Sequence, residues 1–401
     1  MGSSTTHTYG GGDDDDDDGF VTSYAYTDMP LRLMLADIYC LLAYSWALPR
    51  ILLPLRGHSG AFAELYPSLP NLWSLLLQVV LGFMQLGFFL VLPLAVLLPV
   101  WLAALAVASF LVVNWLLCRM VNGPGIRFHS DPKYAVDRPE HAHEQWIFLN
   151  GVAAGDHWTK SNLNRLALTF GRPIMGIHNR TSGILFDIVE CLVQRNFTYA
   201  TADVRLCYKI LRNVLYDPTK SKVVFILHSQ GGIEGGLVLD WLLQEMPQDL
   251  LSKLEVYTFG NAANHFNNPR RRASWRADRA IGHIEHYAHS TDFVALCGVI
   301  HFATVHKRPS LFFGRVFNRS TGRGGHLLNQ HYLDGMFPLK RDPSSGQFVG
   351  ADENNDFMEE VLDNGDGDVK VKHLSRLWSY RNGRSPEAVV NGSNGASLAS
   401  V

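Results

Sequence analysis

From Leu65 to Cys118 the sequence contains no Asp, Glu, Lys, Arg or His. That absence argues against an ordinary surface helix, which needs a polar face toward water. Cysteine is sparse as well. Its five copies, Cys40, Cys118, Cys191, Cys207 and Cys297, are scattered without metal-ligand spacing. An odd, dispersed set argues against a disulfide framework and fits a reducing compartment, with no metal site expected. Net charge is −2, so no excess of positive charge points to nucleic acid. There is no internal repeat. No apolar leader opens the chain: residues 1–20 are polar and include the run Asp13–Asp18, which reads as a solvated tail.

What fills the uncharged stretch is mostly Leu, Val, Ala, Phe and Trp. From Leu72 to Cys118 the main polar residues are Gln78, Gln85 and Asn114. One membrane span needs about 20 apolar residues, so this run holds two, with Pro93 and Pro99 near its middle. It reads as a membrane hairpin, with one arm near 72–92, a turn at 93–99 and a second arm near 100–118. Both flanks then lie on one side of the membrane. They carry Arg50, Arg56, Arg119, Arg127 and Lys133, which the positive-inside rule places in the cytoplasm. The expected setting is an endomembrane, such as the ER or a lipid droplet. Residues 30–55 are apolar but interrupted by Arg32, Asp37, Pro49, Arg50 and Pro54, a pattern that predicts an interfacial helix.

From about Gln145 the pattern changes to short apolar runs alternating with helical stretches. Strands are predicted at 146–149, 174–177, 223–227, 254–259 and 284–288. Helices are predicted at 159–170, 184–194, 202–215 and 232–244. Strands alternating with helices imply a doubly wound, mostly parallel α/β sheet covered on both faces. The expected organisation is a disordered N-terminus over 1–29, a membrane-associated helical region over 30–120, an α/β domain over 121–384 and a disordered tail over 385–401. The run Asp363–Asp368 lacks the spacing of a calcium loop and reads as a solvated turn.

Within this pattern, Lys222–Asp240 reads KVVFILHSQGGIEGGLVLD: strand, tight turn, helix, with Ser229 at the apex. A serine in that position stands clear of the backbone with a helix N-terminus behind it, as an acyl-transfer nucleophile requires. The N–H of Gln230 is then a candidate oxyanion donor. The second donor is expected from the loop after the strand at 146–149, where Asn150-Gly151-Val152 offers Gly151 or Val152. Downstream, Asp292 follows the strand at 284–288, and His326 follows the pair Gly324-Gly325. Serine, acid and histidine in that order suit a triad on an α/β sheet. His331 is the other candidate base, placed a turn further on. Arg270, Arg271, Arg272, Arg276 and Arg279 surround Trp275. This basic patch is expected at the active-site end, where it would meet lipid phosphates or an anionic membrane surface.

Three stretches carry a family resemblance. Leu227-His228-Ser229-Gln230-Gly231-Gly232 is similar to the G-H-S-x-G-G of lipases. Val256–Asn264 is similar to the segment after the next strand in class-3 lipases. Asp292 followed by His326 completes the set. Over residues 145–340 the chain resembles the α/β-hydrolase superfamily, in its lipase and serine-esterase branches. The resemblance implies hydrolysis of carboxylic esters, of acyl lipids in particular, without a cofactor. The chain departs from the pattern at Leu227, where the elbow usually carries glycine and where leucine needs room beside the helix. Two alternatives stand beside this reading: a thioesterase acting on acyl proteins or acyl-CoA with the same triad, and an inactive hydrolase-fold membrane scaffold.

Overall fold

The computed structural model describes residues 7–9, 26–271, 279–304, 312–320, 322, 324–361 and 369–386. The acidic run Asp13–Asp18, the run Asp363–Asp368, the tail from 387, and Arg272, Trp275 and Arg276 lie outside the described residues. Eight strands form one sheet: β1 His7–Tyr9, β2 Arg127–His129, β3 Glu144–Leu149, β4 Ile174–Ile177, β5 Lys222–His228, β6 Leu254–Phe259, β7 His283–His289 and β8 Arg315–Arg319. Their order is β1-β8-β7-β6-β5-β3-β4-β2. The six inner strands are parallel. β2 and β1 close the two edges antiparallel.

Alternation along the same strands builds two cores, one on each face of the sheet. Ile147, Leu149, Val223, Phe225, Leu227 and Val256 face α6 (Ala202–Tyr216) and α7 (Gln230–Glu245). Trp146, Phe148, Val224, Ile226, Tyr257 and Phe259 face α4 (Asp156–Phe170) and Tyr332. Val223 to Leu227 are fully buried, as expected of a parallel strand covered on both faces. The sequence reading missed β2 and β8, which carry one and two arginines. Those arginines are used: in β8, Arg319 Nε donates to Glu360 and Arg315 Nη1 to the Leu374 carbonyl. β1 corrects the expectation of an unstructured N-terminus at His7–Tyr9. It supplies hydrogen-bond partners to β8, which would otherwise be an open edge.

The uncharged stretch forms two helices, α2 Leu69–Val91 and α3 Val100–Asn122. Both are long and apolar enough to cross a membrane. Ser68 caps the start of α2 by accepting the Asn71 N–H. The connection is a 3-10 turn, Leu92–Leu97, with Pro93 at its start and Pro99 just before α3, where neither proline can donate a backbone hydrogen bond. Phe88 of α2 stacks on Phe110 of α3 at 4.0 Å between ring centres, so the two helices form a hairpin. Upstream, α1 Pro30–Ala43 is followed by a 3-10 turn at Ser45–Ile51, bent from it by 73°.

Four amide side chains of the hairpin face the sheet domain. Gln78 Nε2 donates to the Ala153 carbonyl at 3.0 Å. Gln85 Nε2 and Asn114 Nδ2 both donate to the Ser182 carbonyl, at 2.7 and 3.0 Å. Asn122 Nδ2 donates to the Thr181 carbonyl at 2.7 Å. Ala153 follows β3, and Thr181 and Ser182 follow β4. The hairpin is therefore docked at the C-terminal edge of the sheet, where ligands bind in open α/β folds.

Candidate active site

β5 delivers Ser229 to that edge in an unusual backbone state. Its φ is +59° and ψ −123°, a region that side chains avoid and that stores about 1–3 kcal/mol of strain. Neighbouring backbone holds it there. Ser229 N–H donates to the Phe259 carbonyl, and its own carbonyl accepts from Gly232 and Ala262. Close packing at the turn depends on missing side chains. A Cβ on Gly231 would lie 2.7 Å from the Leu149 carbonyl oxygen, and one on Gly232 would overlap Asn261. Leu227 has its room: a Cβ on Gly235, one turn into α7, would lie 2.3 Å from Leu227 Cδ1.

The structure brings Ser229, His326 and Asp292 into one line. His326 Nε2 is 2.8 Å from Ser229 Oγ, and its Nδ1 is 2.9 Å from Asp292 Oδ2. Because Nδ1 faces a carboxylate, it carries the proton, and Nε2 is left to accept from the serine hydroxyl. Asp292 has two tasks. Its Oδ1 caps the helix Phe293–Cys297 by accepting the Val294 N–H at 2.8 Å, while Oδ2 faces the histidine. Burial pushes the Asp292 carboxyl up. His326, the Tyr332 hydroxyl and the Val294 N–H outweigh burial and hold it below the usual aspartate value.

Gly260, at φ +54°, leaves the space in which the acid and base meet. A Cβ there would lie 2.7 Å from Asp292 Oδ2 and 3.0 Å from His326 Nδ1. Ser229 is 3% exposed and His326 7%, so both residues are shielded from bulk water. A cavity of about 870 Å³ borders the histidine loop through Gly324, Gly325 and His331, but Ser229 does not line it.

Three supporting residues were not identified from sequence. Tyr332 donates its hydroxyl to Asp292 Oδ2 at 2.6 Å. His228 Nε2 donates to the His326 carbonyl at 2.8 Å, and its ring stacks on the His326 ring. Burial lowers the His228 pKa to about 3, so it stays neutral beside the base. Asn150 accepts the Asn179 N–H and donates to the Asn179 carbonyl, tying the loop after β3 to the loop after β4. The only sequence signal for Tyr332 is its proximity to His326, six positions earlier.

His331, the alternative base, faces away from the serine. Its Nε2 donates to the Pro54 carbonyl and its Nδ1 accepts the Leu327 N–H. Gly151 lies directly against Ser229, since a Cβ on it would be 2.4 Å from Ser229 Cβ. Val152 follows in the same turn, half-buried. Gln230 is the first residue of α7, so its N–H has no acceptor within the helix. Its side chain is pinned by Asn179, Glu190 and Gln194.

The placement of Arg270 and Arg271, the start of the basic patch, is a correction. Arg271 donates to the Gln248 carbonyl, in the connection that leads into β6. Arg270 bridges to Arg279 just before β7. Both arginines sit at the N-terminal edge of the sheet, opposite Ser229. After β6 the chain runs back along the domain before the arginine segment begins: Asn267 donates to Asp240, well along α7. Following a strand in sequence therefore did not place the segment at the end where that strand finishes.

No protein-family model matches the chain, and no curated protein matches it.

Proposed function

We propose that the chain is a membrane-anchored serine hydrolase of the α/β-hydrolase type, cleaving carboxylic esters of acyl lipids from the cytoplasmic face. The observation that carries this reading is the hydrogen-bonded line from Ser229 Oγ through His326 to Asp292, at 2.8 and 2.9 Å. A hydrogen-bonded serine and base also argue against the scaffold alternative.

The steps follow from the geometry. Ser229 Oγ attacks the ester carbonyl carbon while its proton passes to His326 Nε2. Asp292 holds the imidazole and stabilises its positive form. The N–H groups of Gln230 and of Gly151 or Val152 receive the oxyanion. Collapse expels the alcohol, which takes the proton back from His326 and leaves an acyl-serine. Water, activated by the same histidine, then releases the fatty acid and restores Ser229. Anchoring by the hairpin keeps this site beside an insoluble substrate.

The test uses a fluorophosphonate probe, which reacts with activated serines. Membranes carrying the intact chain should be labelled and should hydrolyse short acyl esters. Ser229→Ala should lose both while the protein remains membrane-integrated. Labelling of Ser229→Ala equal to that of the intact chain would remove the mechanism.

A further inference from the structure

The helix α5, Ile184–Phe197, is turned inside out. Its buried residues are Asp187, Gln194, Arg195 and Asn196, all polar or charged. Its outward face carries Ile184, Ile188 and Val189, which are 36%, 39% and 45% exposed. A helix on a water-exposed surface has the reverse arrangement. An aliphatic side chain left in water forgoes the stabilisation that its burial would give. In lipid, polar side chains face the protein interior and apolar ones face out.

The polar face of α5 is fully engaged with the domain. Asp187 accepts from the Ala153 N–H, the Ser182 N–H and the Thr181 hydroxyl. Arg195 donates to the carbonyls of Ala262 and Cys297. α1 has the same inverted pattern and joins α5 through it. Its buried Asp37 accepts from Arg195 and Asn196, while Leu35 and Leu42 are 65% and 69% exposed. On its other side α5 continues into the hairpin. Phe186 packs against Phe88, Phe89 and Phe110 of α2 and α3, with ring centres 5.6–6.1 Å apart.

We propose that the outer face of α5, with α1 beside it, is a lipid-contacting surface continuous with the hairpin, so that the α/β domain itself is set into the bilayer at its Ser229 end. The occupant is bilayer hydrocarbon, because the face is contiguous with helices already long and apolar enough to cross it. At about 1.5 Å per residue, α5 is roughly 21 Å long and too short to cross a core of about 30 Å. It is immersed rather than spanning. It reaches the elbow directly: Glu190 and Gln194 of α5 both accept from Gln230, the residue after Ser229.

The full chain in phosphatidylcholine vesicles tests this. Ile188→Cys, Val189→Cys and, as a water-exposed control in the turn before β5, Thr219→Cys are labelled with an NBD fluorophore. The unsubstituted chain, whose cysteines are buried or half-buried, is the labelling blank. At 188 and 189 the emission should be blue-shifted, with several-fold stronger quenching by nitroxide-bearing lipid than at 219 and little quenching by aqueous iodide. Iodide quenching equal to that at 219 would overturn the proposal. So would protection from both quenchers, which would mean that protein, such as a second copy of the chain, covers the face. A photoactivated hydrophobic diazirine needs no substitution. It should label the 184–193 segment as well as the hairpin, and labelling confined to the hairpin would equally overturn the proposal.

Discussion

Leu227 fits against Gly235: the leucine at the elbow fills the volume that a side chain on the following helix would need. The pair explains how a bulky residue stands two positions before Ser229 without displacing it. Gly235→Ala should overpack this contact and lower stability by about 1–3 kcal/mol. It should also slow fluorophosphonate labelling. In a Leu227→Ala background the same substitution should be nearly neutral. Thermal unfolding of the four proteins in detergent measures the coupling. Equal effects of Gly235→Ala in both backgrounds would show that the two residues do not share the space.

Tyr332 is one of three donors to the Asp292 carboxylate. A hydrogen bond to a charged group contributes about 1.5–3 kcal/mol. Tyr332→Phe should therefore raise the Asp292 pKa toward the usual aspartate value and slow labelling of Ser229 by about tenfold or more. The binding of a non-reactive acyl analogue should be unchanged. An unaltered labelling rate would show that His326 and the Val294 N–H suffice to orient the acid.

Gln78 joins the membrane hairpin to the loop that bears Gly151 and Val152, through the Ala153 carbonyl. Gln78→Leu makes the helix more apolar, so membrane insertion should be kept. Loss of the contact should loosen one side of the oxyanion site and lower the acylation rate several-fold. Carbonate extraction checks insertion, and labelling kinetics check the rate. Gln78→Asn, which keeps an amide on a shorter arm, should fall between the two.

His286 is buried, which lowers its pKa to about 4. Its Nε2 faces the Phe313 carbonyl and its Nδ1 the Thr258 hydroxyl. The unfolded chain takes up this proton near pH 6.5. Above that pH both states are neutral and the native state loses nothing. As pH falls from about 6.5 toward 4, only the unfolded state gains the proton, so native stability falls. Buried carboxyls oppose this trend; burial pushes Glu64 up to about 7. The clean measurement is a difference. His286→Gln should gain on the intact chain by about 2 kcal/mol between pH 7 and pH 5. Parallel stability curves would contradict the assignment.

Much of the architecture was legible because its signals are local. An apolar run without charge, proline at its centre and strand–helix alternation are each written over ten to thirty adjacent residues. The ranges predicted for β4 and β6 coincide with the observed ones. β2 and β8 were not legible. Arginine in β8 is tolerated because Glu360 and the Leu374 carbonyl reach it from distant segments, and nothing near it in sequence says so. Arg270 and Arg271 were misplaced for the same reason: the chain reverses along the domain between Phe259 and Pro269, and only packing reveals that path.

By itself the sequence determined that two segments are apolar enough to enter a membrane, that a parallel α/β sheet follows, and that Ser229, Asp292 and His326 come in an order able to form a triad. Local propensity and hydropathy suffice for that. Only the tertiary structure decided which histidine meets the serine, since His326 and His331 lie within two turns of each other and differ in what faces them. It also decided which face of α5 points outward. A helix of mixed composition can present either side, and the choice rested on where Asp187 and Arg195 found partners from other parts of the chain.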